Sequence, residues 1–207
     1  MDRLSPVTRG ACALLLGVGL ACQQEPSISP TRQRAEVVAR SRPEVSAAAW
    51  CDVYSPASSA PALSLPPAVP LGPGASVPAK PTSWVWLNLW ATWCKPCVRE
   101  LPLVVAFGEH LRGEGMSLEN WYLSLDAAGP ELQQFVGQHP ELRGIRSLRV
   151  SAPDDVDAWI QRYGLKSGTA IPVNVLVAPG GGVRCVRAGS IAEGDYARVR
   201  AVLQELQ

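Results

Sequence analysis

The sequence predicts an α/β domain in which strands and helices alternate before a closing hairpin and helix. Three observations predict it. The run Trp84-Val85-Trp86-Leu87-Asn88-Leu89-Trp90 is nearly all apolar and rich in β-formers, as expected of a central parallel strand covered on both faces. A tight segment carrying Cys94 and Cys97 follows, and then a periodicity through Leu101, Val104, Val105 and Leu111 that marks a helix with one buried face. Beyond it, strand-like and helical patterns keep alternating to the C-terminus.

Residues 1–10 carry Arg3 and Arg9, and residues 11–21 form an apolar stretch too short to span a bilayer as an ordinary helix. Residues 1–21 therefore read as a secretory signal. Gly19-Leu20-Ala21-Cys22 resembles a bacterial lipobox, which makes Cys22 the candidate lipidated first residue of the mature chain. Residues 22–49 are polar and irregular, with Pro26, Pro30 and Pro43, and read as a flexible tether; a short helix near residues 35–40 would lack an apolar face. The folded domain is expected over residues 50–207.

Within that domain, prolines recur so often between residues 56 and 81 that extended segments and turns must dominate. The Trp84 strand comes next, followed by the helix after Cys97, which Pro102 should kink because it removes a backbone donor. Residues 117–126 read as a strand around Trp121, Tyr122 and Leu123. Residues 130–138 read as a helix, 145–150 as a strand, and 154–163 as a helix with an acidic start. Strands at 173–177 and 183–187, the second after a Gly180-Gly181-Gly182 turn, precede a helix over 193–206. Trp121 and Trp159 are expected in the core.

The chain has 207 residues, 47% hydrophobic and 18% charged, enough for one core of ordinary size. A formal net charge of +1 with no local basic block argues against nucleic acid as a partner. No internal repeat appears.

Cys94-Lys95-Pro96-Cys97 carries the chemistry. At a helix N-terminus the first cysteine meets unpaired backbone N–H groups and the positive end of the helix dipole, which stabilise its thiolate. The second cysteine, one turn on, can close a small reversible disulfide. Pro96 is tolerated because the first turn needs no N–H from it, and Lys95 adds positive charge. Half a zinc site has the same spacing, but it needs a second ligand pair. No second C-x-x-C exists, and His110 and His139 are isolated, so both read as surface residues and no metal is expected.

The segment Trp90-Ala91-Thr92-Trp93-Cys94-Lys95-Pro96-Cys97, with its preceding strand and following helix, resembles the active site of the thioredoxin superfamily. Glu100-Leu101-Pro102 after the second cysteine, and Ala60-Pro61-Ala62-Leu63-Ser64-Leu65-Pro66 upstream, resemble the extracytoplasmic ResA/TlpA branch. The resemblance implies a thioredoxin-like three-layer sandwich with a central βα insertion between residues 117 and 150 and an N-terminal extension. It also implies a catalytic set of Cys94, Cys97 and Glu100.

Asn88, which cannot take a proton, stands where cytoplasmic thioredoxins carry a buried aspartate, and Glu100 matches the acid of the ResA-like branch. That acid can accept the proton of the second thiol, a role favoured by a raised pKa; the alternative is a solvated carboxylate in the first turns of a helix. The family's cis-proline best matches Pro172 after Ile171, and Trp93, Lys95 and Pro96 complete the expected substrate-binding surface.

The implied activity is reduction of protein disulfides at the periplasmic face of a bacterial membrane, by a monomer with no cofactor beyond its redox disulfide. A membrane thiol-disulfide carrier is the implied electron donor, and apocytochrome c cysteines are among the implied substrates. Disulfide oxidation or isomerisation is the alternative, because Lys95 pushes the pair toward the oxidising side. A non-enzymatic binding lipoprotein is a third reading.

Six cysteines are present. Cys12 leaves with the signal, Cys22 takes lipid, and Cys94 and Cys97 form the working pair, so Cys51 and Cys185 are left for each other or remain free thiols. An exported compartment permits the bond, which by loop-entropy reasoning contributes on the order of 4 kcal/mol before strain is subtracted.

Overall fold

The computed structural model describes residues 46–72, 75–78, 80–142 and 146–207. The expected signal, the lipidation candidate Cys22, the helix near residues 35–40 and most of the tether lie outside the described residues. The packed domain starts before residue 50. Ser46 caps a short helix, α1 (Ala47–Trp50), whose Ala47 is fully buried and donates its N–H to Glu205 Oε2 at 2.7 Å.

The remaining elements are β1 (Val53–Tyr54), β2 (Ala68–Pro70), β3 (Trp84–Trp90), α2 (Lys95–Gly113), β4 (Leu118–Ser124), α3 (Pro130–Gln138) and β5 (Arg146–Val150). They are followed by α4 (Asp155–Gln161), β6 (Val173–Val177), β7 (Val183–Ala188) and α5 (Tyr196–Leu206). Seven strands form one sheet in the order β1-β7-β6-β3-β4-β5-β2. β3 runs parallel to β4 and antiparallel to β6, and β5 runs parallel to β4. The chain thus has the thioredoxin-like α/β architecture, with β4, α3 and β5 extending the sheet beyond β3.

All seven residues of β3 are buried, because helices cover both faces of the sheet. Alternate residues sort to opposite sides. Trp84, Trp86 and Trp90 join Leu101 and Val104 of α2 and Val202 and Leu203 of α5 in one core. Val85, Leu87 and Leu89 face the other way, onto Val156, Trp159 and Ile160 of α4. Trp121 and Trp159 are core residues, as the sequence predicts.

Several boundaries shift for local reasons. Regular strand does not form between residues 60 and 66, where prolines withhold donors; a single bridge joins Ala62 to Gly182. Ser64 is instead pinned by side chains: its N–H donates to Tyr163 Oη at 2.8 Å, and its carbonyl accepts from Trp159 Nε1. The acidic start of α4 does not cap it through Asp154; Asp157 instead accepts from Ser167 Oγ and Gly168 N, both at 2.7 Å. The final helix divides into a 3-10 turn, Glu193–Asp195, and α5. Helix α2 runs on through Pro102. Among the described residues, no helix is long and apolar enough to cross a membrane.

Candidate functional site

Strand β3 ends at Trp90, and four residues later Cys94 caps α2. Its extended backbone, at φ −87° and ψ 93°, turns the sulfur inward to accept from the N–H of Cys97 at 3.3 Å, with Pro96 in the first turn. This is the orphan-donor geometry of a helix start. Cys94 and Cys97 are joined in a disulfide with Cα atoms 5.2 Å apart, so the site stands in its oxidised form. Cys97 is completely buried; Cys94 keeps 6% exposure and borders an open cleft of about 540 Å³.

That cleft gathers Trp93, Cys94, Lys95, Pro96 and Ile171, and Leu125 and Thr169 join them without having been singled out from the sequence. Trp93 is 66% exposed, the most exposed large hydrophobic side chain described. The Ile171-Pro172 peptide bond is cis, and the Ile171 carbonyl oxygen lies 3.6 Å from Cys94 Sγ. Pro172 is buried and does not line the cleft.

Glu100 is 1% exposed, which excludes the solvated carboxylate. It follows Cys97 by three residues on α2, so the two share the helix's inner face. Its Oε1 accepts from Asn88 Nδ2 at 2.6 Å and from Asn174 Nδ2 at 3.4 Å, and its Oε2 accepts from the N–H of Ile191 at 2.6 Å. Burial raises its pKa above the ordinary value, and these hydrogen bonds only partly oppose that rise. Asn174 and Ile191 were not legible as site residues, since the contacts span 74 and 91 positions of sequence.

A second carboxyl group supports the loop. Asp126 is 5% exposed and receives the N–H of Thr92 on both oxygens at 3.1 Å, the Thr92 hydroxyl at 2.5 Å and the Ser124 hydroxyl at 2.7 Å. The only signal available in the sequence was an acid at the end of the predicted strand.

Cys51 and Cys185 are bonded, with Cα atoms 5.4 Å apart, tying the α1-β1 extension to β7. Arg187 reinforces the tie by donating to the Trp50 carbonyl at 2.7 Å and lying 4.7 Å over its ring. His110 is exposed and edge-on to Tyr196, while His139 stacks on Phe135. Among the described residues, no group of three or more histidine, cysteine or acidic side chains is placed to hold a metal.

A disulfide opening a helix beside a cis-proline, on this sheet, is a thioredoxin-like arrangement. No family model matches the chain. It is 26% identical over 114 residues to the thiol-disulfide oxidoreductase ResA of Geobacillus kaustophilus, covering 55% of this chain and 59% of that protein. It is 28% identical over 111 residues to ResA of Geobacillus thermodenitrificans, covering 54% and 58%. The matches span about three fifths of the length of these curated relatives. A Chlorobium tepidum crystal structure, assigned as a thiol:disulfide interchange protein DsbE, superposes with a TM-score of 0.50 over 76% of this chain and 99% of that one. At 21% identity, that likeness is one of fold. The chain is thus similar in sequence to ResA-type thiol-disulfide oxidoreductases and has a thioredoxin-like fold.

Proposed function

We propose that the protein is an exported, membrane-anchored thiol-disulfide oxidoreductase that reduces disulfides in other proteins. The observation that carries this reading is the placement of Cys94 at the cleft edge and Cys97 buried behind it, bonded to each other across the first turn of α2. In the reduced form, the Cys94 thiolate attacks one sulfur of a substrate disulfide. The substrate's other sulfur leaves as a thiolate, and a mixed disulfide remains. Glu100 takes the Cys97 proton, and the Cys97 thiolate attacks Cys94 Sγ. The first substrate sulfur is expelled, and the Cys94–Cys97 disulfide re-forms. Two electrons have passed to substrate, and an external dithiol must return them.

Trp93, Lys95, Pro96 and Ile171 are the substrate-facing side chains in this reading, with Pro172 setting the backbone beneath. The sequence-read signal and Cys22 support export and lipid anchoring at the periplasmic face of a membrane. Family resemblance supports a membrane thiol-disulfide carrier as donor and exported protein thiols, apocytochrome c among them, as substrates. The protein is read as a monomer. Reduction of a protein disulfide by the dithiol-charged protein tests the activity; turnover should disappear in Cys94→Ser, and a Cys97→Ser variant should accumulate the mixed disulfide.

Lys95 beside the nucleophile favours a second reading, disulfide oxidation. Equilibration with glutathione decides: a potential close to that of thioredoxin supports reduction, and one close to those of strong periplasmic oxidants supports oxidation.

A further inference from the structure

Glu100 sits at one end of a directional chain of side-chain hydrogen bonds crossing β3 and β6. Trp86 Nε1 donates to Asn174 Oδ1 at 2.8 Å, and Asn88 Nδ2 donates to the same oxygen at 3.0 Å. An indole nitrogen is only a donor, so the Asn174 amide can lie only one way, with its oxygen toward Trp86 and its nitrogen toward Glu100. That oxygen takes one N–H of Asn88 and thereby aims the other at Glu100 Oε1. Asn88 and Asn174 stand directly opposite each other in the β3-β6 register, so the backbone enforces the pairing.

Among the described residues, every hydrogen-bond partner of the Glu100 carboxyl is consequently a donor. β3 and β6 present amide nitrogens, and the segment after β7 presents the Ile191 N–H. On its own helix the titratable neighbour is Cys97, now in its disulfide, while Arg99 is exposed. Asp195, from the turn before α5, binds Ala192 N and Arg198 instead. Among the described residues, no ion pair to Glu100 forms. A protonated Glu100 would need an acceptor, and Asn88, already bonded to Glu100 through its nitrogen, carries a buried Oδ1 with no donor of its own. Reaching it requires turning the Asn88 amide over, and that would set its oxygen against Asn174 Oδ1, which Trp86 holds in place.

We propose that Asn174, oriented by the Trp86 indole, is a positioning residue that holds Glu100 as an all-acceptor carboxylate one helical turn after the resolving cysteine. The two residues thereby set the pH at which the resolving step becomes competent. This rests on the reading of Glu100 as the base for Cys97. Without the lock, Asn88 can turn, the protonated acid gains an acceptor, and the carboxylate loses donors.

The test is the pH profile of protein-disulfide reduction by the full-length protein, with thermal unfolding to confirm folding, in Asn174→Leu, Trp86→Phe and Glu100→Gln. Glu100→Gln should abolish the acidic limb of the profile. Asn174→Leu should move that limb upward by about half a pH unit or more, as loss of a hydrogen bond to a charged group implies. Trp86→Phe should move it in the same direction by less, and it keeps the question answerable if Asn174→Leu fails to fold. If Glu100→Gln abolishes the limb while Asn174→Leu and Trp86→Phe leave it in place, Asn174 is only a structural spacer and the proposal falls alone. If Glu100→Gln leaves the limb unchanged, the base reading falls and the proposal falls with it.

Discussion

Asp126 holds Thr92 by three hydrogen bonds, two from its backbone N–H at 3.1 Å and one from its hydroxyl at 2.5 Å, two residues before the cysteine at the cleft. Asp126 lies just past the end of β4, which is parallel to β3 and paired with it through Ser124 and Trp90, so the grip fixes the Thr92-Trp93-Cys94 loop to the sheet. Replacing Asp126 with Ala strands the Thr92 N–H and the hydroxyls of Thr92 and Ser124 in a mostly buried site. The expected cost is about 2 kcal/mol of folding stability, measured by urea unfolding. Formation of the mixed disulfide should also slow several-fold, because the cysteine loses its fixed approach. Asp126→Asn, which keeps one acceptor, should fall between the two; equal behaviour of wild type and Asp126→Ala would show that the loop holds itself.

Gly108 marks a close approach of α2 to β4. A Cβ built there would lie 2.0 Å from Asn120 Oδ1, and that side chain is committed, donating to the Val104 carbonyl at 3.0 Å and accepting from Arg112 Nη1 at 2.9 Å. Gly108→Ala must push Asn120 off both partners or lift the helix. We expect a loss of about 2–3 kcal/mol, despite the better helix propensity of alanine. A gain in melting temperature would mean that the close approach is loose.

The contrast between Gly108 and Cys94 shows what local sequence can carry. Cys94, Pro96 and the apolar run from Trp84 to Trp90 are legible because caps and strand burial depend on neighbours within a few positions. The burial of Glu100 is not. The resemblance points to an acid near the buried thiol, but by local pattern alone a charged residue early in a helix fits a solvated face equally well. It is Asn174 and Ile191, far along the chain, that close over it. Residues 47–49 read as the end of a tether for the same reason: what holds α1 in place is Glu205, Arg187 and Cys185 near the other end of the sequence. Edge strands as short as β1 and β2 carry too few residues for any alternation to register.

The Cys51–Cys185 bond closes a loop of 134 residues, so it restricts almost the entire domain in the unfolded state. Replacing both cysteines with alanine should lower stability by about 4–5 kcal/mol on the chain-entropy account, read as a reduced urea midpoint. Disulfide reduction by the folded variant should persist, since neither residue borders the cleft around Cys94. Intact-mass analysis after alkylation without reductant should leave both residues unlabelled in the wild type. Labelling of both would contradict the bond.

Burial of Glu100 also predicts the sign of a pH effect on folding. Its carboxyl has a higher pKa in the folded protein than its ordinary value of 4.5, chiefly because desolvation penalises the charged form. Such a group binds its proton more tightly when folded. Its contribution to stability is therefore fully present below the unfolded pKa and is lost as pH rises through the folded one. Glutamine at this position does not titrate. The unfolding free energy of the wild type should consequently fall relative to that of Glu100→Gln on going from acid to neutral pH. The offset at acid pH is set by how well the Gln amide fits a shell made only of donors, but the slope is set by Glu100 alone. Urea unfolding of both proteins across that range measures the slope, and parallel stability curves would show that the carboxyl is not raised on folding.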